Sequence, residues 1–226
     1  MGDFQIRLQG KEKEIVSLLS TVADRLGMES YLVGGYVRDK LLGRQVKDMD
    51  VVCVGNGIEM AYGVANSFKP SLKVSVFKNF GTAMLRIDDW EVEFVGARKE
   101  SYSRNSRKPE VEPGTLEDDQ KRRDFTINAL AIALNRENFG QIIDPFSGLN
   151  DLANKIIKTP LEPEATFSDD PLRMLRAIRF ATQLQFMIEG KTYKGIAANR
   201  DRLDIVSNER IADEINKIML APKPST

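Results

Sequence analysis

Two aspartates one residue apart, Asp48 and Asp50, begin an apolar run, Val51-Val52-Cys53-Val54. They follow a glycine pair and an arginine in Gly34-Gly35-Tyr36-Val37-Arg38-Asp39-Lys40-Leu41-Leu42-Gly43-Arg44. The β-branched run reads as a strand. Residues two apart on a strand share a face, so both carboxylates project side by side at its start. Like charges held that close repel unless a cation lies between them. An oxygen-only pair suits Mg²⁺, which binds through one or two carboxylates and completes its shell with substrate phosphates. Gly34 and Gly35 let backbone N–H groups approach a phosphate. A bare Asp-x-Asp is more often a pair of solvated acids at a strand end; the glycine pair upstream favours the metal reading.

Lys plus Arg and Asp plus Glu each number 33 in 226 residues. The chain is therefore no polycation, and any nucleic-acid surface must come from local segregation of charge. Such segregation is present: residues 98–108 are basic, 110–119 acidic and 121–123 basic again. Histidine is absent, which removes Ser-His and Cys-His nucleophiles, histidine general bases and zinc–histidine sites. Chemistry must rest on carboxylates, arginines, lysines and a metal ion. No apolar run is long enough to span a bilayer, and Met1 to Glu14 carries no signal-peptide core. The single cysteine, Cys53, forms no internal disulfide and reads as a small buried residue. A cytoplasmic setting fits.

Periodicity predicts an amphipathic helix over Lys11–Leu26 (Ile15, Leu18, Leu19, Val22 and Leu26 on one stripe) stopped by Gly27. A short apolar segment, Tyr31-Leu32-Val33, leads to the glycine pair. A helix is expected over Val37–Leu42, then the Asp50 strand, then a helix over Ile58–Phe68. Strands follow over Leu72–Phe77, Thr82–Ile87 and Glu91–Val95, with Asp88-Asp89 as a turn. Lys99–Lys121 lacks periodicity and holds Pro109, Pro113 and Gly114, so it reads as a long mobile loop. Arg122–Leu134 reads as helical, Asp144–Gly148 as a turn, and Leu149–Lys155 as a short helix. Ser168 is a candidate N-cap for a helix from Asp169 to about Phe186, with Pro171 in its first turn. Helices over Lys191–Arg200 and from Ser207 onward complete the pattern. The chain thus splits into a mixed α+β part, residues 1–148, and a helical part, residues 149–226. The final helix carries Ile211, Ile215, Ile218 and Met219 on one stripe, expects a partner, and points to a missing C-terminal region.

Three constellations carry chemistry. Glu91 and Glu93 share a strand face, and a carboxylate from there could complete a site with Asp48 and Asp50; alone, Glu93 reads as a solvated strand residue. In Arg122-Arg123-Asp124-Phe125-Thr126-Ile127-Asn128, the spacing of Asp124 and Asn128 puts them on one helix face. A carboxylate there can accept from ribose hydroxyls and the arginines can clamp phosphates; the plainer reading is a solvated helix start. In Asp169-Asp170-Pro171-Leu172-Arg173, spacings of three and four allow surface ion pairs. They also allow an acceptor and a donor fork to sit side by side. Such a pair would favour cytosine and adenine, which share an exocyclic amine beside an acceptor nitrogen, over uracil and guanine.

Gly34-Gly35-x-x-Arg38-Asp39…Gly43-Arg44…Asp48-x-Asp50, Arg122-Arg123-Asp124-Phe125-Thr126-Ile127-Asn128-Ala129, Asp144-Pro145-Phe146-x-Gly148-x-x-Asp151-Leu152 and Asp169-Asp170-Pro171-Leu172-Arg173-x-x-Arg176-x-x-Arg179-Phe180 occur in one order. In that order they resemble class II tRNA nucleotidyltransferases (CCA-adding enzymes) and bacterial poly(A) polymerases. Val206-Ser207-x-Glu209-Arg210-Ile211-x-x-Glu214 looks like that family's next segment. The resemblance runs from about Tyr31 to Leu220. It implies a polymerase-β-like nucleotidyltransferase palm, a mixed sheet with helices, followed by an all-helical neck. It assigns Asp48 and Asp50 to two catalytic Mg²⁺ ions and Glu93 to the third acid. Gly34, Gly35, Arg38, Arg123, Asp124, Asn128, Asp170, Arg173, Arg176 and Arg179 become nucleotide-binding residues, with Asp170 and Arg173 on the base. The pair Asp169-Asp170 departs from the family's frequent Glu-Asp and leaves the base-reading acid intact.

The expected activity is template-independent addition of C and/or A to the 3′ end of tRNA from CTP and ATP, with tRNA or another RNA 3′ end as partner. A poly(A) polymerase is the alternative. Val76-Phe77-Lys78-Asn79-Phe80-Gly81-Thr82-Ala83 stands where that subfamily usually has a Gly-Arg-Arg-Phe-like strand and a histidine. A non-catalytic nucleotide- or RNA-binding module is the third reading.

Overall fold

A computed structural model describes residues 7–78, 81–103 and 106–224, with the side chains of residues 100–110 outside the described set. The reading of Met1–Glu14 therefore falls partly outside the described residues, as does that of Lys99–Lys121. The chain divides into two compact units. Met1–Lys99, Glu112–Asp119 and Leu130–Asp144 form the first; Glu100–Val111, Gln120–Ala129 and Pro145–Thr226 form the second.

In chain order the elements are α1 (Gly10–Leu26), β1 (Ser30–Val33), α2 (Gly34–Leu41), β2 (Asp48–Cys53), α3 (Gly57–Ala65), β3 (Ser75–Phe77), β4 (Thr82–Ile87), β5 (Trp90–Gly96), β6 (Arg98–Ser103), β7 (Ser106–Pro113) and α4 (Leu116–Lys121). A 3₁₀ turn (Thr126–Asn128) precedes β8 (Ala131–Ala133) and β9 (Ile142–Ile143). Then come α5 (Gly148–Ala153), β10 (Ile156–Ile157), α6 (Pro163–Asp169), α7 (Leu172–Leu184), β11 (Met187–Ile188), α8 (Gly190–Asn199) and α9 (Asn208–Met219).

The first unit is built on a mixed sheet of order β3-β4-β5-β2-β1-β8-β9. β2 runs parallel to β5 and antiparallel to β1. α1 packs on α3, and α3 lies over β4 and β5. The α1 stripe is buried through Ile15, Leu19 and Val22, and Gly27 ends the helix in the left-handed conformation at φ 60°. In β2 and β5, Met49, Val51, Val92 and Phe94 fill the buried face. Cys53 is buried and unbridged, and burial pushes its thiol up to about 11.

The second unit packs α6 against α8 and α7 against α9. Phe125 meets Phe180 edge-to-face at 5.8 Å. β10 and β11 add a short parallel pair. On α9, Ile215 and Met219 remain exposed among the described residues, as does Leu220 after it. No described helix is long and apolar enough to cross a membrane.

Four expectations are corrected. α2 begins at Gly34 rather than Val37, because Gly34 adopts φ 71° and turns the chain directly from β1 into helix. The stretch 99–121 is not irregular: β6 and β7 form a two-stranded sheet and α4 follows. A two-stranded ribbon need bury no face, so it leaves no alternating apolar signal, and proline is tolerated at such edges. Arg122–Leu134 is a 3₁₀ turn and a strand, not a helix. A short apolar run buried all round has no period to read, and residues 129–134 are all buried. The helix expected from Ser168 is two helices. Pro171 drives Asp170 into an extended conformation at φ −136°, ψ 99°, so α6 stops there and α7 starts afresh. Ser168 lies inside α6, whose first turn is opened by Pro163.

Gly57 sets the distance between α3 and β5. A Cβ there would lie 2.8 Å from the Val95 carbonyl carbon and 2.9 Å from the Gly96 nitrogen. Backbone cannot yield as a flexible side chain does, so Gly57→Ala is expected to destabilise the first unit by about 1–3 kcal/mol, measured by chemical denaturation. An unchanged midpoint would show that α3 floats free of the strand.

Candidate active site

Asp48 and Asp50 stand at the exposed start of β2, two residues apart and on one face. The parallel register sets Asp50 opposite Glu93 and Asp48 opposite Glu91. Four carboxylates thus line one side of two adjacent strands. Arg86 of β4 pairs with Glu91 at 3.1 Å, in register with it, which leaves Glu93 as the acid of β5 aligned with Asp50. Among the described residues, no group of three His, Cys, Asp or Glu side chains is gathered tightly enough to hold a metal on its own. The donor set nonetheless fits Mg²⁺: it is all oxygen, and that ion takes few protein carboxylates and leaves the rest of its shell to water and phosphate.

The same register brings the glycines close. Val33 is opposite Asp50, so Gly34 follows directly beside the acid face. The Gly34 N–H donates to the Leu130 carbonyl at 3.4 Å. The first turn of α2 therefore begins at Asp50, with its amides where an anion is favoured. Arg38 is buried, and its guanidinium forks onto the adjacent Asp39 at 3.0 and 2.6 Å.

The remaining expected residues belong to the second unit. Asp124 and Asn128 do meet, although not on a helix: the Asn128 side-chain amide donates to Asp124 Oδ1 at 2.9 Å across the 3₁₀ turn. Asp124 Oδ1 also accepts from the Phe125 amide, while Oδ2 accepts from Arg176 Nε at 2.8 Å and Nη2 at 2.6 Å. Burial pushes the Asp124 carboxyl upward, but the Arg176 charge, the Asn128 and Arg176 hydrogen bonds and the Arg173 charge together hold it below the usual carboxylate range. The Asp124 charge in turn raises Arg176. Arg123 Nη1 donates to the Asn128 carbonyl. Arg179 lies 4.1 Å above the Phe180 ring and donates to the buried Glu214 at 2.6 Å. Burial and the Arg176 charge lower it, with Glu214 offsetting part of that shift.

Asp170 and Arg173 are neighbours but not an ion pair. Asp170 Oδ1 accepts the Leu172 amide at 3.2 Å, capping α7, and Oδ2 faces the Arg210 guanidinium at 3.6 Å. Arg173 is buried and donates to two backbone carbonyls, Thr166 at 3.4 Å and Arg122 at 2.6 Å. The Asp170–Arg173 pair that the spacing allowed is thus not formed; Asp170 instead caps α7 and pairs with Arg210.

With this geometry in view, the comparisons decide the kinship. Residues 30–158 match the Poly A polymerase head domain, and residues 185–226 match the probable RNA and SrmB-binding site of polymerase A. The chain belongs to the poly A polymerase head-domain family. Within the reach of that family it is 45% identical over 190 residues to the A-adding tRNA nucleotidyltransferase of Aquifex aeolicus (strain VF5), covering 83% of this chain and 23% of that one. It is 39% identical over 207 residues to the CCA-adding enzyme of Lactobacillus helveticus (strain DPC 4571), covering 91% and 49%. A solved tRNA nucleotidyltransferase complexed with a primer tRNA and an incoming ATP analog superposes with a TM-score of 0.79 at 39% identity, over 91% of this chain and 57% of that one. A CCA-adding enzyme with CTP superposes with a TM-score of 0.84 at 34% identity, over 96% and 49%. The chain therefore spans about half the length, or less, of the curated relatives it matches.

Sequence reasoning assigned no role to four charged residues that matter here. Glu12 and Glu214 are buried acids on otherwise apolar helix stripes. Asp151 is buried and accepts the Thr126 hydroxyl at 2.7 Å, holding the 3₁₀ turn. Arg210 faces Asp170. A signal existed for the glutamates: each occupies the helical phase of its helix's apolar residues, and an acid in that phase must have a partner.

Asp124 gives a pH signature. Its carboxyl is held low in the folded chain, so the stabilisation is present above the unfolded carboxylate value, about 3.9. It is lost as pH falls through the lower folded value. Asp124→Asn is expected to lower stability near pH 7 by about 1–3 kcal/mol and to flatten the loss of stability below about pH 4. Denaturation midpoints of both proteins against pH check this, and parallel curves would contradict it.

Proposed function

We propose that the chain is the catalytic part of a template-independent RNA 3′-end nucleotidyltransferase that adds C and/or A to tRNA from CTP and ATP. The observation carrying this reading is the placement of Asp48 and Asp50 on one strand face, in register with Glu93 and beside the glycine-led turn of α2. The names of the relatives support it. Residues 1–148 act as the nucleotidyltransferase head and residues 149–226 as an RNA- and nucleotide-binding neck, although in packing residues 120–129 group with the helices. A cytoplasmic location suits the substrates.

In this reading the RNA 3′-hydroxyl attacks the α-phosphate in line, forming the O3′–P bond as the bond to pyrophosphate breaks. Asp48 and Asp50, with Glu93 beside them, would hold two Mg²⁺ ions, whose bound form supplies the charge that eases ionisation of the hydroxyl and departure of pyrophosphate. The amides of Gly35 and Tyr36, with Gly34 and Arg38 shaping that turn, receive the triphosphate. Arg123, Asp124 and Asn128 serve phosphate and ribose, and Arg176 and Arg179 hold that surface in place. Asp170 accepts from the base amine and Arg173 donates to the ring nitrogen. Catalysis is then chiefly positioning and charge stabilisation. Poly(A) addition uses the same chemistry and is distinguished by product length.

The deciding experiment is Mg²⁺-dependent incorporation from CTP and ATP on a tRNA ending before CCA. Asp48→Ala or Asp50→Ala is expected to cut incorporation by at least about a hundredfold with the fold intact by circular dichroism. Near-normal turnover of either variant would sink the site. Asp170→Asn keeps an oxygen for the α7 cap but reverses the donor pattern at the base edge. It is expected to raise use of UTP or GTP relative to CTP and ATP by about tenfold to a hundredfold in kcat/KM. A preference profile identical to wild type would remove Asp170 from base reading.

A further inference from the structure

The α2 helix, which bears the glycine pair and Arg38, is held from one side by a single buried carboxylate. Glu12 lies in the first turn of α1, on the stripe that continues through Ile15, Val16 and Leu19, and is only 6% exposed. A buried acid requires partners, and both of its oxygens have them. The Tyr36 hydroxyl donates to Oε1 at 3.1 Å, and Lys40 Nζ donates to Oε2 at 2.8 Å. Tyr36 and Lys40 are four residues apart, so they stand on one face of α2. Burial, with the nearby Glu12 charge and hydrogen bond, pushes the Tyr36 hydroxyl well above its usual value, so it remains a donor.

These contacts restrain a particular degree of freedom. The Gly34 N–H bond to Leu130 anchors the first residue of α2, and the helix packs on β1, β2 and β8 with Val37 fully buried. The two bonds from Glu12, made a turn apart, add a directional polar restraint on rotation of the helix about its axis. Such rotation is also what would re-aim the amides of the first turn and the Arg38 side chain.

We infer that Glu12 is a positioning residue that sets the rotation of α2 and thereby its grip on the nucleotide's triphosphate. The inference rests on the reading above that the first turn of α2 receives phosphate. Glu12 touches no substrate. Its effect belongs to nucleotide binding rather than to the chemical step.

The test uses the 226-residue chain with two variants, Glu12→Gln and Tyr36→Phe. Rates on a tRNA ending before CCA are measured across CTP concentrations, alongside CTP affinity by calorimetry and thermal midpoint. Glu12→Gln keeps an acceptor for Tyr36 but presents an amide donor to Lys40. It is expected to raise both KM and Kd for CTP roughly tenfold, the scale on which small misplacements act, with kcat held within about twofold. Tyr36→Phe removes one of the carboxylate's two bonds and leaves its Lys40 ion pair, shifting the same constants in the same direction by less. A purely structural role would lower the thermal midpoint and the active fraction while leaving KM and Kd unchanged, and that result overturns the inference. If Glu12→Gln fails to fold, Tyr36→Phe decides by the same split. Wild-type protein that neither binds nor incorporates CTP removes the phosphate-site reading and the inference together. A wild type that does both, with unchanged constants in the variants, removes the inference alone.

Discussion

The register between β2 and β5 is the constraint on which the acid face depends. Gathering carboxylates is unfavourable: two like charges about 5 Å apart interact by roughly 3 kcal/mol at an effective dielectric near 20. The opposing face supplies the compensation. Met49, Val51, Val92 and Phe94 are almost wholly buried, and each such side chain contributes about 1.5–3 kcal/mol. A one-residue slip would send every side chain of the strand to the other face, placing Asp50 in the core. The hydrophobic side of the sheet therefore enforces the electrostatics of the polar side.

In the second unit the organising group is Asp124. One carboxylate draws together a side-chain amide from the same turn, a backbone N–H and the guanidinium of α7. From there the chain of contacts runs through Arg176 and Arg179 over Phe180 to Glu214 on α9. Such networks are worth most when every member is satisfied, and each loss leaves a buried charge exposed to its own desolvation cost. The helices of the second unit are tied by polar contacts as well as by apolar ones.

The legible parts of the molecule were those with a clean period. The α1 stripe, the strand after Asp48 and the β4–β5 hairpin around Asp88-Asp89 lie within a residue or two of where alternation and turn chemistry place them. The illegible parts lacked a period for identifiable reasons. The stretch 129–134 is buried all round, and β6 and β7 make only a two-stranded ribbon. Pro171 offered two meanings, an acceptable first-turn residue or a break, and only the backbone at Asp170 chose between them. At the site, residue types and spacing singled out Asp48, Asp50 and the glycine pair. They were silent on long-range partners such as Glu12 with Tyr36 and Arg210 with Asp170, because a contact between distant segments leaves no local spacing.

Arg173 carries a consequence for any attempt to change the nucleotide preference proposed for this chain. Its guanidinium joins the carbonyl of Arg122 to that of Thr166, fastening two segments that are remote in the chain. Lysine, a point donor, cannot span both carbonyls as a planar fork does. If this fastener also reads the base, as proposed above, it leaves little room for drift: new base preferences would have to arise around it, at Asp170 or on the neighbouring surface. In that case the scaffold would hold one half of the proposed recognition pair constant while the other half diversifies.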